Sequence, residues 1–266
     1  MQSFFILIPI LLVLYLVYKY SFFLPPIKGL PVLMYHSIDD SLMPGPLNVT
    51  PLQFEKQLQY LQRNNYSTIL FSDLITCLNE NRALPPKVVM ITVDDGNKNN
   101  FTKMYPLLKK YDARANIFLV SNFINKCSMQ TKVDSYLSSE DINQMDPRII
   151  EFGLHTYDHV NYNRLNKEEI NADIIKCKQQ LSELGIRYSS SFAYTYGAYP
   201  KKDLIKRTEL FEVLKSNNIE LAFRIGNRVN KIPLTNKFLI KRIDIRGTDS
   251  FFNFRTKIQK GRVKLF

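Results

Sequence analysis

The sequence predicts an α/β fold, a closed barrel of parallel strands with helical crossovers, from three observations. Short runs rich in β-branched and aromatic residues alternate with longer amphipathic stretches. About seven or eight such strand–helix units fit along the chain. Residues of unusual chemistry stand just beyond the predicted strands, where barrels and open parallel sheets both place function. An open doubly wound sheet is the second choice on the same pattern. The 266 residues suffice for one such domain after an apolar start, and 45% hydrophobic residues can fill its core.

The elements follow in order. Phe4 to Leu24 is almost continuously apolar, broken by Lys19 and a few tyrosines. At ~1.5 Å per residue it reaches about 30 Å, the hydrocarbon thickness of a bilayer. Tyr15, Tyr18 and Tyr20 suit an aromatic belt. A cleaved leader needs small residues at its cut, yet the first glycine is Gly29 and the first alanine Ala83. An uncleaved transmembrane anchor is therefore expected over residues 1–25, closed by Pro25-Pro26, with a catalytic domain over 26–266. Lys19 and Lys28 lie after the helix and favour a cytoplasmic domain. The chemistry below favours the extracytoplasmic side.

Pro31 to His36 reads as a buried strand. Thr50 caps the next helix, with Pro51 at its first position and Gln53 completing a capping box. Phe54, Leu58 and Leu61 form its apolar face. Lys87 to Val93 is a strand that stops at Asp94-Asp95-Gly96, and a helix is expected over about 98–111. Ala115 to Val120 and Ile149 to Leu154 are further strands, the second ending at His155. Asn166 caps a long helix with the stripe Ile170, Ile174, Cys177, Leu181 and Leu184, and Gly185 ends it. Ser191 to Tyr194 reads as a strand and 203–216 as a helix. Leu221 to Ile225 and Phe238 to Ile243 read as late strands.

Charge and cysteine content exclude some functions. The net charge is +12, but no basic block of five or more occurs and no nucleic-acid motif is present. A solvated basic surface, or attraction to anionic headgroups or an acidic envelope polymer, fits the same number. Cys77, Cys127 and Cys177 have neither disulfide-framework nor zinc-finger spacing. Cys177 is expected to pack as a small hydrophobe.

All three histidines, His36, His155 and His159, stand at or just past strand ends. His155-Thr-Tyr-Asp-His159 places two imidazoles four residues apart, on one face of a helical turn and able to grip one metal ion. Asp94-Asp95 places two carboxylates at a strand end. One could complete a two-histidine, one-carboxylate metal site while its neighbour stays free as a base. The spacing does not say which aspartate does which.

Thr92-Val-Asp-Asp-Gly96, His155-Thr-Tyr-Asp-His159 and Phe192-Ala-Tyr-Thr-Tyr-Gly197, in that order, resemble the polysaccharide deacetylase family, carbohydrate esterase family 4. The opening Val32-Leu-Met-Tyr-His-Ser37 is similar to the branch that deacetylates poly-N-acetylglucosamine adhesins. The resemblance covers about residues 30–250. It implies a deformed (β/α) barrel of about seven strands and removal of N-acetyl groups from a polysaccharide, which the expected membrane anchor makes an envelope glycan. It makes Asp94 the general base and Asp95, His155 and His159 the metal ligands. Zn²⁺ is the expected ion, with Co²⁺, Ni²⁺ and Fe²⁺ also compatible with such donors. It places a backbone N–H of Tyr196 against the oxyanion. Many members take their general acid from a late Leu-x-His motif. No histidine follows His159 here, and His36 takes that role through a circularly permuted first strand.

Three departures from the family pattern stand out. Ala193 occupies the place of an arginine that orients the base, leaving that partner unassigned. Thr195 stands where proline is usual. The chain has no tryptophan, so tyrosines near the motif loops (Tyr157, Tyr162, Tyr194, Tyr196, Tyr199) are the candidates to stack on sugar, Tyr194 and Tyr157 first. Asp244 lies on a late strand and is expected to pair with a neighbouring arginine. A monomer is expected, acting on an N-acetylated polysaccharide. The competing functions are a sugar O-acetyl esterase with nearly the same site and a non-catalytic glycan-binding domain.

Overall fold

In the computed structural model the described residues are 2–20, 24–126 and 135–263, without the side chains of 2–7 and 18. Cys127 and Phe22 lie outside them. The elements are α1 (Gln2–Lys19), β1 (Val32–Tyr35), β2 (Ser37–Ile38), β3 (Asn48–Val49), α2 (Pro51–Arg63), β4 (Ser67–Thr68), α3 (Phe71–Asn79), β5 (Val88–Asp95), α4 (Tyr105–Lys110), β6 (Ala115–Leu119), α5 (Ser139–Gln144), β7 (Ile150–Leu154), α6 (Lys167–Glu183), β8 (Ser191–Ala193), α7 (Leu204–Ser216), β9 (Leu221–Ile225), β10 (Ile240–Asp244) and α8 (Phe251–Lys260).

The capping signals act as read. The Thr50 hydroxyl accepts from the Gln53 amide at 3.2 Å, while Gln53 Oε1 accepts the Thr50 amide at 3.0 Å. Asn166 and Glu169 repeat this exchange at the start of α6. The expected helix over 98–111 departs from its pattern. It opens with a π-helical turn at Asn100–Met104 before α4, an irregularity common at functional sites.

Strands β5, β6, β7, β8, β9 and β10 pair in succession, all parallel. β1 closes the ring by pairing with β10 (Met34 opposite Asp244) and with β5 (Met34 opposite Thr92). The result is a barrel of seven parallel strands, as expected, with β4 added beside the start of β5. Alternation along each strand divides the core in two. Val32, Met90, Phe118, Ala193, Phe223 and Ile240 pack together inside the barrel. Leu33, Val89, Ile91, Val93, Ile117, Phe192 and Ile243 face outward, among residues of the surrounding helices such as Phe54, Ile174, Cys177 and Leu210. Gly153 is required by this packing: a Cβ there would lie 2.8 Å from the Phe118 ring and 2.9 Å from Ser191 O.

The transmembrane anchor expected over Phe4–Leu24 is not borne out at that length. α1 stops at Lys19, whose ammonium donates to the Tyr15 hydroxyl at 2.5 Å. Its 18 residues reach about 27 Å, and residues 21–23 of the expected span lie outside the described residues. Among the described residues, no helix is long and apolar enough to cross a membrane.

Candidate active site

The inward-facing register of β5 runs Val88, Met90, Thr92, Asp94, so Asp94 points into the barrel mouth above the interior core. There it meets Arg242 from β10. Arg242 Nη1 donates to Asp94 Oδ1 at 2.5 Å and Nη2 to Oδ2 at 2.8 Å. Both residues are buried, Arg242 completely. The guanidinium also lies 5.3 Å from the Phe118 ring centroid. This two-pronged pair fixes the carboxylate in direction as well as charge. Burial alone would push the Asp94 carboxyl up. The charges of Arg242, His155 and His36 outweigh it and hold the group well below the usual carboxylate range.

Asp95 is the next residue, yet it does not simply take the opposite face. Its backbone has turned left-handed, φ 74°, at the end of β5. Its Oδ1 lies 3.6 Å from His155 Nε2 and 3.4 Å from His159 Nε2. One ligand atom from each of Asp95, His155 and His159 falls within 4.8 Å of the others. Burial raises the Asp95 carboxyl, but His159 and His155 prevail and keep it ionised.

These three residues fit a divalent ion on their own chemistry. Asp95 Oδ1 is shielded from solvent and makes no hydrogen bond, which is costly for a carboxylate unless a cation faces it. His155 Nδ1 lies 2.9 Å from Ala193 O. A carbonyl only accepts, so Nδ1 carries the proton and Nε2 keeps its lone pair toward Asp95. Burial lowers the His155 pKa and favours this neutral form. His159 Nδ1 is held by the Tyr196 hydroxyl at 3.0 Å, again leaving Nε2 toward the cluster. His155 and Asp94 are closed off, while the side chains of His159 and Asp95 are 23% and 22% exposed. The cluster therefore opens to solvent on one side.

The histidine pair is not on a helical turn, contrary to the sequence expectation. Residues 155–159 form an irregular bend after β7, with left-handed φ at Thr156 (66°) and His159 (55°). Neighbours pin this bend. The Tyr157 amide donates to the Asp173 carboxylate at 3.2 Å, the Val160 amide to Thr156 Oγ1 at 3.2 Å, and the Thr195 hydroxyl to Val160 O. Thr195, the proline departure, thus ties the β8 loop to the β7 loop.

His36 lies between β1 and β2, its Nε2 3.8 Å from Asp94 Oδ2 and its side chain 16% exposed. Asn100 Nδ2 donates to His36 O at 3.0 Å, and Asn99 Oδ1 accepts the Ile38 amide at 3.1 Å. The π-turn after β5 thereby braces the His36 loop. Tyr196 has φ 56° and presents a ring 64% exposed, its centroid 4.6 Å from that of His159.

One expectation changes. Tyr194 does not face a sugar: it is fully buried, packs on Phe192, and donates its hydroxyl to Phe238 O at 3.0 Å. Tyr157 is partly buried, with the Lys176 ammonium over its ring at 3.9 Å. The residue that sequence reasoning missed is Arg242. Its available signal was Lys241-Arg-Ile-Asp-Ile-Arg246, an arginine and an aspartate two apart on one face of a buried strand. Asp244 does pair with a neighbour, accepting from Arg246 Nε at 2.5 Å.

Comparison with known proteins agrees with this geometry. The family model for polysaccharide deacetylases matches residues 81–213. Bacillus subtilis YxkH, named for the polysaccharide deacetylases, is 29% identical over 175 residues, covering 66% of this chain and 59% of that protein. The chain thus spans less than two thirds of that relative's length. The poly-β-1,6-N-acetyl-D-glucosamine N-deacetylase of Staphylococcus epidermidis is 25% identical over 213 residues, covering 77% of this chain and 70% of the relative. Among solved structures, the Streptococcus pyogenes deacetylase PplD in complex with acetate superposes with a TM-score of 0.73 at 22% identity, over 88% of this chain and 99% of that one. It shares the fold.

Proposed function

The chain belongs to the polysaccharide deacetylase family, and on that premise we propose that it hydrolyses the acetamide of N-acetylglucosamine units in a cell-envelope polysaccharide. The observation that carries this reading is the cluster of Asp95, His155 and His159 beside a second carboxylate, Asp94, held by Arg242. A divalent ion held by those three residues, Zn²⁺ first, would polarise the acetamide carbonyl and acidify a water.

The remaining steps belong to the protein. Asp94 is ionised at neutral pH because Arg242 sits against it, so it can accept the proton of the attacking water. Arg242 keeps it aimed as that proton arrives. Tyr196 offers its backbone N–H to the developing oxyanion. His36, across the mouth from Asp94, gives a proton to the departing amine, and acetate leaves. The substrate class of the Staphylococcus epidermidis relative supports an N-acetylglucosamine polymer. An extracytoplasmic, envelope-attached setting belongs to the same reading. It is supported by the substrate class and by the exposed apolar side chains of Ile8, Leu11, Leu12 and Leu14 on α1.

Acetate release from N-acetylglucosamine oligomers and from acetylated xylan, with metal analysis of the same sample, tests the proposal. Release from the oligomers alone, abolished by a chelator and restored by Zn²⁺, is expected. Release from xylan alone would make the protein an O-acetyl esterase. Release from neither, by metal-loaded protein, would leave a glycan-binding domain.

A further inference from the structure

A cavity of about 570 Å³ lies against Tyr196, within the usual size of small-molecule sites; Asp95, His155 and His159 do not line it. It is lined by Tyr196, Tyr199, Lys201, Lys202, Asp203 and Lys206, among others. Tyr196 is the link: its hydroxyl holds His159 Nδ1 at 3.0 Å, while most of its ring faces solvent. A group resting on that ring is one side chain away from a metal ligand.

The charge of this cavity is one-sided. Lys201, Lys202 and Lys206 are all exposed. The single carboxylate of the lining, Asp203, accepts from the Lys206 amide at 3.0 Å and caps α7. The positive end of that 13-residue helix therefore opens on the same space. Behind the cavity, the Arg224 guanidinium lies 5.4 Å from the ring centroid of the buried Tyr199. Elsewhere on the surface Lys98, Lys110 and Lys167 sit in ion pairs with Asp141, Glu55 and Glu212. Here three lysines line one concavity that Tyr196 joins to His159.

Resting on the deacetylase reading above, we propose that this cavity is a specificity subsite for an anionic substituent, so that the preferred substrate is an N-acetylated glycan bearing phosphate or carboxylate groups near the scissile acetamide. Lys201, Lys202 and Lys206 act as point charges for that substituent, and Tyr196 supplies the face on which the adjoining sugar rests. The net positive field also gathers a polyanionic polymer to the barrel mouth.

The test uses the full chain loaded with Zn²⁺ and three oligosaccharides of equal length: neutral N-acetylglucosamine, a phosphate-bearing form and a carboxylate-bearing form. Acetate release should favour at least one anionic form by about tenfold in kcat/KM, carried by KM. High salt should erase the preference. Lys201→Gln/Lys202→Gln/Lys206→Gln should bring the ratio of anionic to neutral substrate close to one, with metal content and circular dichroism unaltered. The two anionic arms identify which substituent the lysines serve. Equal or better turnover of the neutral oligomer by the parent protein, or a triple variant that keeps the preference, would overturn the subsite. Should no oligomer be deacetylated, the deacetylase reading fails separately. Calorimetric binding of the same three ligands then decides the subsite by the same ratio.

Discussion

The two ends of the barrel reverse the chain with left-handed residues, but they use different side chains to do it. At the amino ends of the strands, the helices exit through Asn65, Asn81, Asp112, Gly185 and Asn218, all with positive φ, and the exception in side-chain type is Lys87 (φ 54°), just before β5. Glycine, asparagine and aspartate tolerate that conformation cheaply. At the carboxyl ends the positive-φ residues include Asp95, Thr156, His159 and Tyr196. Thr156 is β-branched and Tyr196 bulky, the types least suited to it. Each such residue costs on the order of 1–3 kcal/mol and persists only where its surroundings fix it. Asp173 and Ala193, accepting from the Tyr157 amide and His155 Nδ1, and Thr195, donating to Val160 O, are those surroundings. One end is thus arranged for stability and the other for aiming side chains.

That contrast can be broken by substitution. The largest effect is expected for Asp94→Asn, which should lower turnover by about 10²–10⁴-fold while metal content stays near normal. Loss of the metal instead would show that Asp94 is a ligand and that the two aspartates have exchanged roles. Arg242→Met should come next. It leaves a buried carboxylate without its main partner and should cost about 3–5 kcal/mol in urea unfolding at neutral pH. The pH dependence should change sign with it. In the parent the Asp94 pKa is depressed, so its contribution is present above the ordinary carboxylate range and lost as pH falls. With burial opposed less, the variant's carboxyl rises and its contribution is lost as pH rises. An unfolding profile unchanged between acid and neutral pH would remove Arg242 from this account.

Tyr196→Phe is a smaller change. It removes only the hydroxyl on His159 Nδ1 and should weaken metal binding by about tenfold in a chelator competition. An unaltered affinity would mean that the ring, not the hydroxyl, sets the imidazole. Gly185→Ala probes the opposite end and should be smallest. An added Cβ there meets nothing within 4 Å, so the cost is that of φ +68° alone, about 1 kcal/mol. Turnover per folded molecule should not change. A loss of activity at this position would blur the division between the two ends.

Much of this was legible in the chain and some was not, for definable reasons. Local signals were carried faithfully: the Thr50 and Asn166 caps, the Gly185 exit and the β-branched run of β5 act within a few residues. The grouping of Asp95 with His155 and His159 was legible because histidine is scarce here, with three in the chain, and because Asp94-Asp95 stands at a strand end. Arg242 was hidden among 36 lysines and arginines. What singles it out is a contact across 148 residues of sequence, which no local pattern encodes. Tyr194 was misread because alternation along β8 turns it outward, toward Phe238, and one residue decides that face. The separation of Asp94 from Asp95, implied by the family resemblance, could not be read from spacing, since a left-handed turn at Asp95 overrides simple strand alternation and carries its carboxylate to His155 and His159.

The closure of the ring through β1 has a bearing on how the molecule is made. Asp94 on β5, His36 beyond β1 and Arg242 on β10 come from three adjacent strands, yet the last of them is synthesised long after the others. A growing chain on the ribosome carries both aspartates and all three histidines before it carries the arginine that holds Asp94. The pairing of Asp94 with Arg242 therefore forms only when the final barrel strand docks, so the buried ion pair of the site is itself a mark of completed assembly.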